Sequence, residues 1–549
     1  MAQIVRKRSD KFAECAVDRE QGLRSNRSTT ENLWQQIARY VHPREATFTE
    51  EVVPGVERNR YILDSTAPRS LELFASFLHT MMNNPASRWI NLRPNNEGPE
   101  RLSIAMKQWK EKAENKMLAE IGSEASGYYT AAHQLYLDLG AFGTGPMYVD
   151  MVKGRLGVRH YHLADVVIDE DTYGNVDTVL RQFNQTHRQA KQRWGEQDYG
   201  SSMGQKDQRG REKPTRFLHV VFPTTDEYMM EHLPARDRRR VALFPFASAW
   251  VNAADRLTVD VGGFEEFPYM VPRWYKTRGE IYGRAPSMTV LPDIRMVNRM
   301  METILRGAEK LVDPPLVVRD GGLVTPVRLF PGAVTFTDGE VKIETLIPPG
   351  ASRIEYGDAL LKMRQEAIRD GFFVPLFTTP ESPVKTATQV LQETGERDRA
   401  VSPMLIRTHG ELHNPFARRT YGLLSRAGMI EPPPEPIETL GVEFVSPLTA
   451  SQKQNEALGT LRIIESLTPW GQIDPNVFDQ FDPDEVGRIV HAGSGAPASI
   501  LLSQMKIDQK RKARADAQQA QNLAATLIPA VEAGAKVTTA NAAMKKASR

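Results

Sequence analysis

The sequence predicts an α+β fold, with helical regions at both ends of the chain and a strand-rich block between them. Three observations carry it. Apolar residues recur at three- and four-residue spacing ahead of the Gly-rich turn at 143–145. From there to about 285 the pattern turns to short alternating runs broken by Gly, Pro and Asn, and at 286 long helical periodicity resumes.

The first 45 residues read as helical, with "TTENLWQQIARYVHP" placing Leu33, Ile37, Tyr40 and Val41 on one stripe ahead of Pro43, and Trp34 beside them. The next module, "RYILDSTAPRSLELFASFLHTMMNNPASRWINLRP", is a capped helix, a stop and a strand. Asp64, Ser65 and Thr66 offer oxygens to the unpaired amides of a helix start, and Pro68 lies in the first turn, where its missing N–H costs nothing. Leu71, Phe74, Leu78 and Met81 form the buried stripe. Asn83, Asn84 and Pro85 end it before a strand from Arg88 to Leu92. "ERLSIAMKQWKEKAENKMLAEI" and "SGYYTAAHQLYLDLGAFGTGPMYVDM" add two helices, the second running through a Gly-rich turn into a strand.

In the strand-rich block, "DVVIDEDTYGNVDTVLRQF" predicts a hairpin with Tyr173, Gly174 and Asn175 at its tip. Residues 195–215, polar and rich in Gly, Lys and Arg, predict a mobile surface loop. "PSMTVLPDIRMVNRMMETILRGAEKLVDPP" is a long helix ended by Pro314 and Pro315, and "DALLKMRQEAIRDGFF" is another. Between them lies a β-rich insertion at 316–357. From Lys385 the chain is helical for most of the way to Gly428, with bends at Gly395, Pro403 and Pro415. After the linker "EPPPEP" a smaller helical region reaches about 490, and the Ala-, Gln-, Lys- and Arg-rich C-terminus predicts one more helix before a ragged tail. No internal repeat is present.

The 549 residues are 40% apolar and 25% charged, enough for several cores. Lys and Arg number 70 against 68 Asp and Glu, so the net charge of +2 exerts no global pull on nucleic acid or anionic membrane. Any such attraction is local. Cys15 is the only cysteine, which excludes an internal disulfide framework and fits synthesis in a reducing cytoplasm. The first residues lack the apolar core of a secretion signal, and no stretch approaches the roughly 20 apolar residues that span a bilayer.

Catalytic patterns find little support. No GxxxxGK[ST] loop occurs, so the chain is no P-loop motor. "AFGTGPM" has its Pro and following strand in the wrong places for a dinucleotide turn and reads as an ordinary turn. "DEDTYGNVD" has Tyr173 and Leu180 where a calcium loop wants Asp and Glu. In "HGELH", His409 and His413 share a helix face as two zinc ligands would, but Glu411 points away from both and no third ligand is evident. They read as partly exposed structural histidines. No cofactor, catalytic residue or metal site is expected, and the chain is not expected to be an enzyme.

The long helix is more informative. Arg295, Arg299, Arg306 and Lys310 fall within a sector of about 60° at 100° per residue, while Val297, Met300, Ile304, Ala308 and Leu311 gather opposite. Glu302 and Glu309 flank the basic stripe. It is either a solvated face laced with internal ion pairs or the wall of an aqueous passage. A second cluster, Lys506, Lys510, Arg511, Lys512 and Arg514 against Asp508 and Asp516, is either a solvated face or a sequence-blind phosphate contact, since no base-reading motif lies beside it.

Taken in order, "LWQQIARYVHP", the capped-helix module, "YGNVDTVLRQF", "GRAPSMTVLPDIRMVN" and "KTATQV" make the chain resemble, over nearly its whole length, the portal or head-to-tail connector proteins of short-tailed bacteriophages. The resemblance implies a homo-oligomeric ring of twelve at one capsid vertex of the virion, assembled in the bacterial host cytoplasm. It would conduct double-stranded DNA during genome packaging and ejection. Implied partners are terminase, scaffolding protein, major capsid protein, tail adaptor protein and internal core or ejection proteins, with no membrane. The same resemblance divides the chain into a wing (1–285), a first stem helix (286–315), a clip (316–357), a second stem helix (358–375) and a channel loop (376–388). A long bent helix (389–435), a crown (436–500) and a C-terminal barrel helix and tail (501–549) follow. It places Lys385 near the bore and makes Arg295, Arg299, Arg306, Lys310, Lys510, Arg511, Lys512 and Arg514 further DNA-channel candidates. The alternatives are a sequence-nonspecific DNA-binding protein and a metallohydrolase using His409 and His413.

Overall fold

The computed structural model describes residues 10–50, 55–85, 88–95, 102–206, 208, 210–312, 316–318, 343–345, 354–377, 405–437, 440–444, 447–471, 479–494 and 506–519. Contacts divide the chain into two compact units. One holds Met1–Asn96, Glu114–Pro432 and Glu438–Ala450; the other holds Glu97–Ala113, Pro433–Ile437 and Ser451–Arg549.

In the first unit, α1 (Lys11–Asn26) and α2 (Ser28–Tyr40) precede α3 (Thr66–Met82) and β1 (Ile90–Pro94). Trp34, Ile37, Ala38 and Val41 are buried, whereas the expected Leu33 and Tyr40 are only half-buried: the core-facing sector of α2 centres one residue further on. The cap of α3 comes from Asp64 alone, whose Oδ1 accepts from Thr66 N at 2.9 Å; the Ser65 side chain makes no capping bond. Leu71, Phe74 and Leu78 are buried as expected, but Met82 rather than Met81 completes the stripe, because i+4 from Leu78 keeps the buried face.

α4 (Ile104–Ile121), whose residues up to Ala113 belong to the second unit, and α5 (Tyr128–Phe142) follow. α5 ends at Gly143 in the left-handed region (φ 76°), where a Cβ would also overlap the backbone of Gly283 and Arg284. The chain then enters β2 (Met147–Val152), β3 (Arg155–His160), β4 (Val166–Glu170), β5 (Val176–Gln185), α6 (His187–Trp194), β6 (Thr215–Pro223), α7 (Glu227–His232), α8 (Ala235–Val241), β7 (Phe246–Asn252), β8 (Leu257–Phe264) and β9 (Tyr269–Met270). β4 to β8 form an antiparallel sheet in sequence order, and β3-β2-β9 form a second.

Strand alternation gives the larger sheet two different faces. Leu180, Leu218, Val220, Phe222, Ala247, Ala249 and Val251 pack with Phe12, Ala16 and Val17 of α1 and with Met229, Met230, Leu233 and Val241 of the β6–β7 excursion. The other face carries Arg181, Phe183, Phe217, His219 and Trp250, where His219 stacks on Trp250 at 3.7 Å and bonds Tyr269 and Ser248. The expected hairpin is β4–β5, with Gly174 at positive φ in its tip. The expected mobile loop is pinned at its start: Tyr199 is buried, and Asp255 accepts from the hydroxyls of Ser201 and Ser202.

Next comes α9 (Pro286–Val312), then the short antiparallel pair β10 (Leu316–Val318) and β11 (Ile343–Thr345), then α10 (Ile354–Gly371) and α11 (Val374–Phe377). α10 begins four residues before the expected Asp358, so the β-rich insertion is shorter than 316–357 at that end. Residues 405–408 are helical, 409–413 form a π-helical turn, and α12 (Asn414–Arg426) continues from it. β12 (Leu440–Phe444) pairs antiparallel with β1, Leu92 opposite Val442. That strand falls where sequence reasoning expected only helix, and the partnered strand is 90–94 rather than 88–92. Pairing decides both, and its partner is hundreds of residues away.

The second unit includes the helix Pro483–Ser494 and helical residues 506–519, and most of the helix Pro447–Gly471.

Candidate nucleic-acid interface on the paired helices

α9 and α10 run antiparallel. Val290 lies against Gly371, where a methyl group would overlap Val290 Cγ1, and Ile304 Cδ1 lies 3.8 Å from where a Cβ on Gly357 would stand. The two contacts are fourteen residues apart on each helix, about 21 Å at 1.5 Å per residue. β10 and β11 sit in the connection between the helices.

Polar side chains hold the start of α9 on the body of the unit. Ser287 Oγ donates to Ala141 O at 2.6 Å. The Asn298 side-chain oxygen accepts from Leu63 N at 2.8 Å and Asp64 N at 3.3 Å. Gln365 of α10 donates to Asp64 Oδ2 at 2.7 Å, and Arg364 pairs with Asp293 at 3.1 Å. Asp64 therefore both caps α3 and receives α10, so the "LDSTAP" stretch is the joint between the N-terminal module and the helix pair.

The basic stripe stands on the exposed side of α9. Arg299 and Arg306, 75% and 69% exposed, share Glu302 at 3.0 and 2.6 Å, and Arg295 donates to Gln36. Both proposed readings of the stripe are compatible with this geometry, since the arginines face solvent and their charge is tempered by one carboxylate. Val297 is buried; Met300, Ile304 and Ala308 are half-buried, and Met296 and Leu305 are exposed. The Lys310 backbone lies in α9, while its side chain, Leu311's and all of Lys385 lie outside the described residues. In the second unit Lys506, Lys510, Lys512 and Arg514 lie on one exposed helix with Arg511, which is taken by Asp484 at 2.6 Å.

The "HGELH" stretch forms the π-helical turn. Pro415 has no N–H to give and its ring crowds the carbonyl four residues back. The turn relieves this by widening, and Asn414 N–H donates to His409 O, five residues back. His413 is buried rather than partly exposed, because the turn drives it against the end of α3 and Trp89. Asn83, also buried, donates from Nδ2 to Tyr128 OH (2.6 Å) and to His413 Nε2 (3.1 Å), while its Oδ1 accepts from Tyr136 OH. Nε2 of His413 is thereby an acceptor, which assigns the proton to Nδ1, 3.3 Å from His409 Nδ1. Burial holds His413 neutral, with the neighbouring His409 pushing the same way, and burial pushes His409 down to about 4.

Glu411 points to the other side, as expected from its spacing. It accepts from the Arg273 guanidinium at 2.8 Å and from Arg407 at 3.1 Å. Arg273 also reaches Glu170 and the carbonyls of Gly174 and Ile281, joining the β4–β5 hairpin to the π turn. Glu170 additionally pairs with Lys276 at 2.6 Å. The carboxylates of "DEDTYGNVD" are thus used internally: Asp171 accepts from the backbone N–H groups of Tyr173 and Asn175. Among the described residues no three His, Cys, Asp or Glu side chains gather as a metal site. Sequence reasoning read Asn83 only as part of the stop after α3 and gave Arg273 no role, since neither residue's distant partners are visible in local spacing.

Residues 14–501 match the family described as bacteriophage head to tail connecting protein. A probable portal protein of Bordetella phage BPP-1 is 27% identical over 539 residues, covering 96% of this chain and 95% of the relative. The portal protein of Salmonella phage epsilon15 is 25% identical over 526 residues, covering 91% of each. A chain from the virion of a native gene transfer agent particle aligns with 73% of this chain and 85% of its own, at 11% identity and a TM-score of 0.34.

Proposed function

The chain belongs to the bacteriophage head to tail connecting protein family, and from that premise we propose that it is the portal of its particle: a ring of identical subunits at one capsid vertex. Duplex DNA passes through its centre during packaging and ejection, and the packaging motor and tail attach to it. The family match across most of the chain carries this reading. The relatives, named as portal proteins along nearly their full lengths, support it.

In this reading residues 1–285 are the wing, α9 and α10 the stem, and the β10–β11 connection the clip. Residues 376–388 are the channel loop, the helical stretch around α12 the long bent helix, and the C-terminal regions the crown and barrel. The ring has twelve copies and meets terminase, scaffolding, major capsid, tail adaptor and internal proteins. The chain assembles in the host cytoplasm and catalyses nothing itself. Among the described residues no helix is long and apolar enough to cross a membrane.

The tempered stripe suits a conduit. Each phosphate neutralised by Lys or Arg adds salt-dependent affinity, and a wall along which DNA slides must not hold it. Electron micrographs of the purified protein test the reading. A closed annulus with an open centre is expected. Discrete monomers that bind DNA at low salt would replace it with the simple DNA-binding alternative, and stoichiometric bound metal would revive a metal role for His409 and His413.

A further inference from the structure

The excursion between β6 and β7 presents a second basic surface, remote in sequence from the stem. α8 carries "ARDRRRV" within its bounds Ala235–Val241. Val241 at its end and Met229, Met230 and Leu233 just before it are buried in the core beneath the large sheet, so the short helix is held from below by four apolar side chains. Arg238 folds back to donate to the carbonyls of Glu231 and Leu233, locking the α7–α8 corner.

Arg236, Arg239 and Arg240 do the opposite. All three are exposed, and among the described residues none meets a carboxylate or a carbonyl. The acid in the run, Asp237, likewise makes no ion pair there. Four arginines against one aspartate leave a local charge of +3 on seven residues. This contrasts with the stem, where Glu302 takes up both Arg299 and Arg306. A rigidly anchored, unneutralised cluster is built to hold a polyanion, whereas a tempered one is built to let it slide.

We propose that the α8 surface binds the phosphate backbone of duplex DNA lying outside the channel. Arg236 and Arg240 are one helical turn apart, about 6 Å along the axis, within reach of neighbouring phosphates on one strand, which rise about 3.4 Å each. Guanidinium groups suit phosphate oxygens, and contacts of this kind need no base-reading element. An acidic protein is the less favoured partner: a stable protein interface buries about 800 Å² per side around an apolar centre, and the large apolar side chains exposed on α7, α8 and the turn after them are two, Tyr228 at 62% and Leu243 at 82%, with the arginine run between them in sequence. The choice of DNA among polyanions rests on the conduit reading above.

Relaxed, covalently closed circular DNA separates the two surfaces, because it cannot be threaded into the bore of a closed ring. Binding of the circle to the assembled protein is measured against salt concentration. The wild type binds with a steep salt dependence, and R236Q/R239Q/R240Q lowers the slope of log K against log salt by about 2.7, at about 0.9 per lost phosphate contact. R236K/R239K/R240K, which keeps the charge, retains the slope. An unchanged slope in the triple Gln variant overturns the proposal whatever becomes of the conduit. Binding of poly-L-glutamate without binding of the circle overturns it in favour of an acidic protein. Failure of the conduit reading shows separately, as the absence of an annulus.

Discussion

The Arg273 guanidinium, 1% exposed, is held by Glu411 at 2.8 Å across 138 residues of sequence. Glu411 has a second cation, Arg407, at 3.1 Å, but that partner is 42% exposed. The two pairs share one carboxylate and differ in burial, which makes their energies unequal. Removing one member of a buried pair strands a charge away from water, while an exposed pair contributes little. Glu411→Ala leaves Arg273 with Glu170 and two carbonyls, so it should lower stability by about 1–3 kcal/mol rather than the full cost of a stranded charge, and Arg407→Ala by less than about 1 kcal/mol. Thermal unfolding of both variants checks this; equal losses would mean that burial is not what matters at this joint.

His409 and His413 make part of the stability pH-dependent. With His409 near 4 in the folded chain and about 6.5 when unfolded, the unfolded chain binds more protons between these values. The contribution is complete above about pH 6.5 and is lost as the pH falls toward 4. Its size is on the order of 2 kcal/mol, allowing for the half-buried position of the ring. His409→Gln should therefore flatten the fall in urea midpoint between pH 7 and 4.5. Parallel curves for variant and wild type would remove His409 from the account.

Gly371 sets how closely α10 approaches α9. Its φ is not in the left-handed region, so Gly371→Ala meets no backbone penalty and acts through overlap with Val290. A loss of about 1–3 kcal/mol is expected. Val290→Ala in the same chain should restore part of it, giving a double variant more stable than the sum of the single losses predicts. Strict additivity in a double-mutant cycle would sink the close-contact explanation.

The stripe arginines are exposed and paired only at the surface, so Arg295→Gln with Arg299→Gln should shift stability by no more than about 0.5 kcal/mol. Ring assembly should survive. DNA packaging or retention should be impaired, as it should by Lys385→Gln, which tests the channel-loop proposal separately. Normal packaging yields from these variants would show that other residues line the bore.

Much of the architecture was legible along the chain, and the part that was not has a common cause. The α3 stripe, the hairpin tip at Gly174, the long helix from Pro286 and the stop before Pro314 are written in spacings of two to four residues and in turn chemistry. The basic stripe was legible too, along with its tempering by Glu302, because i, i+3 and i, i+4 neighbours are neighbours in any helix. The "HGELH" face was read correctly for Glu411 but not for the depth of His413, which depends on what packs over the turn.

Local periodicity and punctuation thus determined most of the helices, the hairpin and where charge collects on α9, because a helix or turn forms from residues adjacent in sequence; β12, expected as helix, was not among them. Tertiary structure alone decided the pairing of β1 with β12, the contact of Val290 with Gly371, and the meeting of Asn83 with His413 and of Arg273 with Glu411. Each of those joins residues far apart along the chain. Which distant partner a buried amide, guanidinium or strand edge finds is set by the packing of the whole unit, and no short window of sequence contains that packing.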